Sequence, residues 1–244
     1  RTMVVDSTGA FAYALTASGL SVVNLQPQVV TNRPTATAAG TVSVASGMTD
    51  LAPGSLVSIY GRNLATNATA SGAPLPTLLG GVCITMNNIP IPLLSTSGEQ
   101  INAQIPLELA PGTYPMVIRA IDKKLASANV NLRVVRYAPA VLVDAASGQA
   151  AIYDSEGKPV NKNNPTTRDR RLVIYATGLG VTRGPRIASG QAAPVTPEAP
   201  AGADVNVYFG DKRFREAEMI VEWAGLVPGF VGLYQINVTI PETV

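Results

Sequence analysis

Two carboxylates stand two positions apart in Tyr153-Asp154-Ser155-Glu156-Gly157-Lys158-Pro159. Such a pair could open a Ca²⁺ loop or an acid–base couple. Further oxygen ligands do not follow, and Gly157 suits a positive φ, so the segment reads as a turn between strands. The chain contains no histidine, which excludes a Ser-His-Asp triad, a Cys-His dyad and any histidine-ligated metal site within it. The one cysteine, Cys83, lies in the alternation Val82-Cys83-Ile84-Thr85-Met86. With no basic neighbour in the sequence to favour a thiolate, it reads as a buried strand residue. Gly80-Gly81 and Gly178-Leu179-Gly180 lead into no helix and no Lys-Ser/Thr pair, so they are turns and not phosphate loops. Arg168, Arg170 and Arg171, broken by Asp169, read as a solvated strand edge, a device that discourages sheet-to-sheet aggregation. Asn67-Ala68-Thr69 and Asn237-Val238-Thr239 are formal glycosylation sequons, the second inside a predicted strand. Trp223, Phe230 and Tyr234 form the one aromatic cluster. They either cap a core or expose a platform that stacks on a sugar or anchors a partner. No catalytic, cofactor-binding or metal-ligating residue emerges, and the chain is not expected to be an enzyme.

The elements that carry these residues are strands. Gly (22) and Pro (19) punctuate a chain rich in Thr, Val, Ala and Ser, the composition of many short strands joined by turns. Helical periodicity is absent beyond a turn or two around Leu107–Ala110. Charged residues are 14%, hydrophobic ones 46% and net charge is +2 over 244 residues. That is too apolar for disorder and too weakly charged for a nucleic-acid surface, yet long enough for two domains with cores of their own. No apolar run reaches the roughly 18 residues of a membrane span. A lone cysteine forms no internal disulfide and does not report the compartment.

One strand is written twice. Gln100-Ile101-Asn102-Ala103-Gln104-Ile105-Pro106 returns as Gln235-Ile236-Asn237-Val238-Thr239-Ile240-Pro241. The preceding segments match in order: Leu56-Val57-Ser58-Ile59-Tyr60 with Leu172-Val173-Ile174-Tyr175, and Val82–Asn87 with Val205–Gly210. Each of the latter runs into a tight turn of hairpin type, Asn87-Asn88 and Gly210-Asp211. The second copy carries an insertion around Trp223–Phe230. The two-residue pleat should turn Ile101 and Ile236 away from their Gln and Asn neighbours, and Pro106 and Pro241 should end the pairing. A repeat of this length predicts two copies of one sandwich and not a solenoid. The expected fold is therefore all-β: two tandem immunoglobulin-like β-sandwiches, residues 41–137 and 138–244, preceded by an N-terminal β arm (1–30) and an extended Pro/Thr/Ala-rich linker (31–40). The arm belongs to neither copy. Its apolar residues Val4, Val5, Phe11, Tyr13, Leu15, Leu20, Val22 and Val23 describe a meander of three strands at most, marginal by itself and in need of a host.

Residues from about 40 to 244 resemble the Solibacter-type uncharacterised C-terminal domain of large secreted acidobacterial proteins. The resemblance is carried by Pro53–Gly61, Pro74–Val82, Gln100–Pro106, Ile174–Gly180, Gly190–Pro194 and Ala224–Pro241. It implies export, a terminal position and sandwiches similar to TIG domains, with no catalytic residues to carry over. More weakly, Asp6–Tyr13 and Gly19–Leu25 resemble the closing strands of a YVTN-type β-propeller blade. The opening Arg1-Thr2-Met3 has neither an initiator Met nor a signal peptide, as in a processed product or the ordered part of something longer.

The expected function is that of a non-enzymatic structural protein, extracellular or at the cell surface. It is expected to be a homo-oligomer or polymer, possible as a filament in which the arm adds its strand to a neighbouring subunit, or to associate with the cell envelope. The alternatives are an adhesion or carbohydrate-binding module acting through Trp223, and the attachment or export region of a larger secreted β-propeller protein. No cofactor and no nucleic-acid partner are expected.

Overall fold

The computed structural model describes residues 3–16, 19–25, 32–210 and 217–242, and among them every regular element is a strand. The chain divides into two compact units, Arg1–Arg33 and Pro34–Val244.

The first unit is an antiparallel meander of β1 (Met3–Val5), β2 (Phe11–Thr16) and β3 (Gly19–Asn24), in that spatial order. Asp6 makes the first turn. Its carboxylate accepts the Ala10 N–H at 2.8 Å, the Phe11 N–H at 3.1 Å and the Thr8 hydroxyl at 2.6 Å. These bonds hold its pKa below the ordinary value, the Thr8 hydroxyl contributing most.

The second unit has two lobes. Its first contains β4 (Thr35–Ser43), β5 (Leu56–Arg62), β6 (Ala68–Thr69), β7 (Leu78–Leu79), β8 (Val82–Met86), β9 (Ile89–Pro90), β10 (Leu93–Thr96), β11 (Gln100–Gln104), β12 (Gly112–Ala120), β13 (Leu125–Ala126) and β14 (Val130–Val134). One sheet runs β4-β5-β11-β10-β6, the other β13-β12-β8-β7, with β14 also on β12 and β9 on β8. Alternation makes the sandwich: Val82, Ile84 and Met86 face inward from β8, Val130, Leu132 and Val134 from β14, and both meet Val57, Ile59 and Ile101 from the opposite sheet. Val134 bridges to Leu51, tying the last strand to the opposite layer. The Tyr114 hydroxyl donates to the Ala110 carbonyl at 3.0 Å, tying β12 back to the loop that leads into it.

The linker expected at 31–40 is a strand over most of its length. Thr35–Ser43 is β4, paired with β5 and bulged between Ala36 and Thr41. Threonines that read as linker composition are also β-branched strand formers, and a bulge lets such a segment follow a sheet edge. Residues 26–31, the end of the expected arm and the first residue of that linker, lie outside the described residues.

The second lobe has β15 (Ala140–Val141), β16 (Ile152–Asp154), β17 (Arg171–Thr177), β18 (Tyr208–Phe209), β19 (Ala217–Glu218), β20 (Ile220–Leu226) and β21 (Tyr234–Thr239). β15-β17-β21-β20, with β16 also on β17, form one antiparallel sheet, and β18-β19 form a separate two-stranded ribbon. The duplicated strands occupy the same slot. β11 pairs with β5 so that Gln100 faces Tyr60 and Ile101 faces Ile59; β21 pairs with β17 so that Gln235 faces Tyr175 and Ile236 faces Ile174. On the other flank both meet a bulged strand, the irregularity falling between Leu93 and Ser95 in β10 and between Val221 and Trp223 in β20. Ile101 and Ile236 are buried, while Gln100 donates to the Asn102 side-chain oxygen at 2.9 Å and Gln235 to that of Asn237 at 2.7 Å. Gln-Ile-Asn is thus an inward anchor flanked by an outward amide pair. Ile105 and Ile240 continue the match, each exchanging backbone bonds with the residues that lead into β5 or β17.

Candidate functional site

Most of the chemistry suggested by residue type is spent on turns. Asp154 accepts the Glu156 and Lys158 N–H groups at 2.9 Å and the Asn164 amide at 3.0 Å, and Gly157 has φ 77°. Its pKa lies below the ordinary value, chiefly through the Asn164 bond. Glu156 pairs with Lys158 at 2.7 Å. This is a turn, and among the described residues no three His, Cys, Asp or Glu side chains converge on a metal position. Gly178 and Gly180 have φ 83° and 81°, and a Cβ on Gly178 would stand 2.0 Å from the Ala138 carbonyl oxygen, so this glycine pair is a close-approach turn. Arg168 and Arg170 are exposed. Arg171, also exposed, pairs with Glu222 at 3.0 Å, which accepts the Thr239 hydroxyl as well. Asn67 is exposed, whereas Asn237 lies in the central strand β21 and is engaged by Gln235.

Two sequence expectations change. Cys83 is half-buried on the outer face of β8, and its cross-strand partner is the basic residue Arg119, whose guanidinium donates to Thr85 at 2.6 Å. That neighbour is invisible in sequence because antiparallel register, not chain proximity, brings it there. The aromatic cluster does not form one platform. Tyr234 is 0% exposed, in the core of the second lobe, with its hydroxyl donating to the Gly180 carbonyl; burial raises its pKa far above the ordinary value. Phe230 is 55% exposed at a turn. Trp223 is half-buried in a cleft beside Arg183 and Asp204, which pair at 3.3 Å. Tyr234 is unable to touch a ligand; its inward direction follows from the pleat that buries Ile236 and Val238.

The lobes of the second unit are locked by polar contacts that sequence inspection did not find. The Leu107 N–H donates to the Ser189 hydroxyl at 2.8 Å, and Ser189 donates to Glu108 at 2.5 Å. Buried Gln104 accepts the Gly190 N–H at 2.7 Å, and the Leu56 N–H donates to buried Thr177, which itself donates to the Gly232 carbonyl, both at 3.1 Å. Burial pushes the Glu108 carboxyl up, but the Ser189 hydroxyl and nearby N–H groups outweigh it and hold the pKa below the ordinary value.

The features left unsatisfied are apolar. On the arm, Val4, Phe11, Leu15, Leu20 and Val22 are exposed, and Val4, Tyr13 and Val22 lie in register across the three strands. With Phe11, Leu15 and Leu20 they share one face by the two-residue pleat. Val5 and Val23, on the other face, are also exposed. In the second lobe the segment matching β8 is strand only at Tyr208–Phe209. Val82, Ile84 and Met86 are 0% exposed, but their counterparts Val205 and Val207 are half-buried and Phe209 is 44% exposed. Beside them a groove of about 390 Å³ is lined by Tyr137, Pro139, Val141, Leu179, Val205 and Val207.

No family model, curated protein or solved structure matches the chain.

Proposed function

We propose that this chain is a non-enzymatic structural protein that associates through β-strands with further copies of itself, outside the cell or at its envelope. The observation that carries the proposal is the arm: a separate three-stranded unit whose apolar side chains are exposed on both faces. Three strands without a packed face are marginal alone, and an exposed apolar patch of this kind marks an interaction surface. The hydrogen-bonded lobes supply what a structural element needs, a body whose parts hold fixed positions. The extracellular placement is supported by the resemblance of the quoted segments to secreted proteins.

Deleting residues 1–33 tests the proposal. The full chain should form assemblies visible by negative-stain microscopy and light scattering, and the deletion should leave a folded monomer. Unchanged assembly after the deletion would remove the arm from the mechanism.

The arm's topology favours a second reading. An antiparallel β1-β2-β3 meander is also three consecutive strands of a propeller blade, in which case its apolar faces pack on other blades of the same polypeptide. A native polypeptide much heavier than 25.3 kDa by mass spectrometry would favour that reading.

A further inference from the structure

We infer that the outer face of the second lobe's sheet, centred on Asn237 between Trp223 and Tyr175, binds a neutral carbohydrate chain. The inference is independent of the self-association proposed above and concerns a surface outside the arm.

The internal duplication shows how this face differs from its counterpart. In the first lobe the outward amides are satisfied from within. The Asn102 side-chain oxygen accepts the Ser58 hydroxyl at 2.8 Å and the Gln100 amide at 2.9 Å, and its Nδ2 donates to the Ser95 hydroxyl at 3.1 Å. In the second lobe Val173 and Trp223 stand opposite Asn237 as Ser58 and Ser95 stand opposite Asn102. The Gln235 bond to the Asn237 oxygen is kept, at 2.7 Å. No acceptor for Asn237 Nδ2 exists among the described residues, and none of their buried side-chain nitrogens or oxygens lacks a partner, so that amide faces solvent. Where two serines close a network in one lobe, the other has an aliphatic side chain and an indole beside an open donor.

Register sets aromatic rings around that donor. Tyr153, Val173, Asn237 and Trp223 lie opposite one another across β16, β17, β21 and β20, a span of three strand spacings or roughly 14 Å. Tyr175, two residues along β17 from Val173, lies opposite Gln235 and meets Tyr153 edge-on with 5.8 Å between ring centroids. The alternate residues Leu172, Ile174, Ile236 and Val238 are buried, so the pleat turns this set outward. The bulge beside Trp223 brings Glu222 to the same face, where it accepts the Thr239 hydroxyl at 2.6 Å and pairs with Arg171 at 3.0 Å. Gly225 makes room for the indole, since a Cβ there would stand 2.6 Å from Trp223 Cζ2.

Rings interleaved with amides suit a sugar. The C–H faces of a pyranose are apolar and stack on an aromatic ring, while its rim of hydroxyls donates and accepts. Asn237 Nδ2 and the Gln235 side-chain oxygen match that rim. Charge selects a neutral ligand. Arg171 is balanced by Glu222, and in the cleft of about 450 Å³ beside Trp223 the Arg183 cation is balanced by Asp204. Glu218 lines the same cleft with no counter-ion among the described residues, so a uronate or sulfated sugar would meet repulsion there. The spread of the face over four strands favours an oligosaccharide over a single ring.

Trp223 is the single tryptophan of the chain, so its fluorescence reports this face directly. The full-length chain, kept dilute, is titrated with cellohexaose, xylohexaose, mannohexaose, laminarihexaose and chitohexaose, and with galacturonate and glucosamine hexamers as charged controls. The inference predicts a saturable change in emission with at least one neutral hexamer, weakened at least about tenfold in Asn237→Val, which keeps a strand-forming side chain and the reporter. Tyr175→Ala should weaken it as well, and serves as the second variant should a central-strand change at Asn237 impair folding as read by circular dichroism. No response to any neutral hexamer overturns the inference. So does a response undiminished in the folded variants, or one confined to a charged hexamer. Emission that changes with protein concentration and with none of the sugars would assign the face to a second copy of the chain, and overturns it equally.

Discussion

At the scale of single residues, the side chains that matter most are polar ones whose partners lie far off in the chain. Tyr234 shows why a residue type is a poor guide to its role: an aromatic with a hydroxyl suits a ligand platform or a core equally, and the pleat of β21 sends it inward to the Gly180 carbonyl. Glu108 illustrates how a charge can hold two lobes together. It accepts the Ser189 hydroxyl and N–H across the lobe boundary, and its pKa is lowered from 4.5 in the folded chain. A lowered pKa means that the stabilisation is present above about pH 4.5, the unfolded value, and disappears as pH falls through the folded one. In thermal melts the difference between wild type and Glu108→Ala should stay constant from neutral pH down to that value and shrink below it. A difference that grows in acid would contradict this role.

At the scale of elements, the repeated Gln-Ile-Asn strand was legible because three constraints act within a few residues: the period-two burial of its Ile, the outward amide pair, and the Ile-Pro that ends it. Register followed from the same match, since equivalent residues of β5 and β17 face β11 and β21. Other features depend on partners distant in the chain and were not legible. Thr35–Ser43 has linker composition and becomes a strand only because β5 offers an edge. Val205–Phe209 has strand composition throughout, yet only Tyr208–Phe209 is a strand, paired with β19. Gln104 and Ser189 lock the lobes without any motif. The difference in closure predicts unequal costs for equal mutations. Ile101 is 0% exposed in a closed core and Ile236 is 6% exposed in an open one. Ile101→Ala should therefore cost the roughly 2–5 kcal/mol typical of a core truncation, and Ile236→Ala measurably less. Denaturant melts that give equal losses would argue against an open second lobe.

At the scale of the whole molecule, the described structure has an arm with exposed apolar side chains and a second unit whose lobes are joined by hydrogen bonds, and the proposed self-association draws on the first of these. Amide hydrogen exchange across the arm, residues 3–25, tests the proposed self-association most directly, because three strands with exposed apolar side chains are marginal until a partner covers them. Self-association predicts fast exchange there in dilute protein and marked slowing when the chain is concentrated enough to assemble. Exchange in the arm that is the same in dilute and concentrated protein would contradict it.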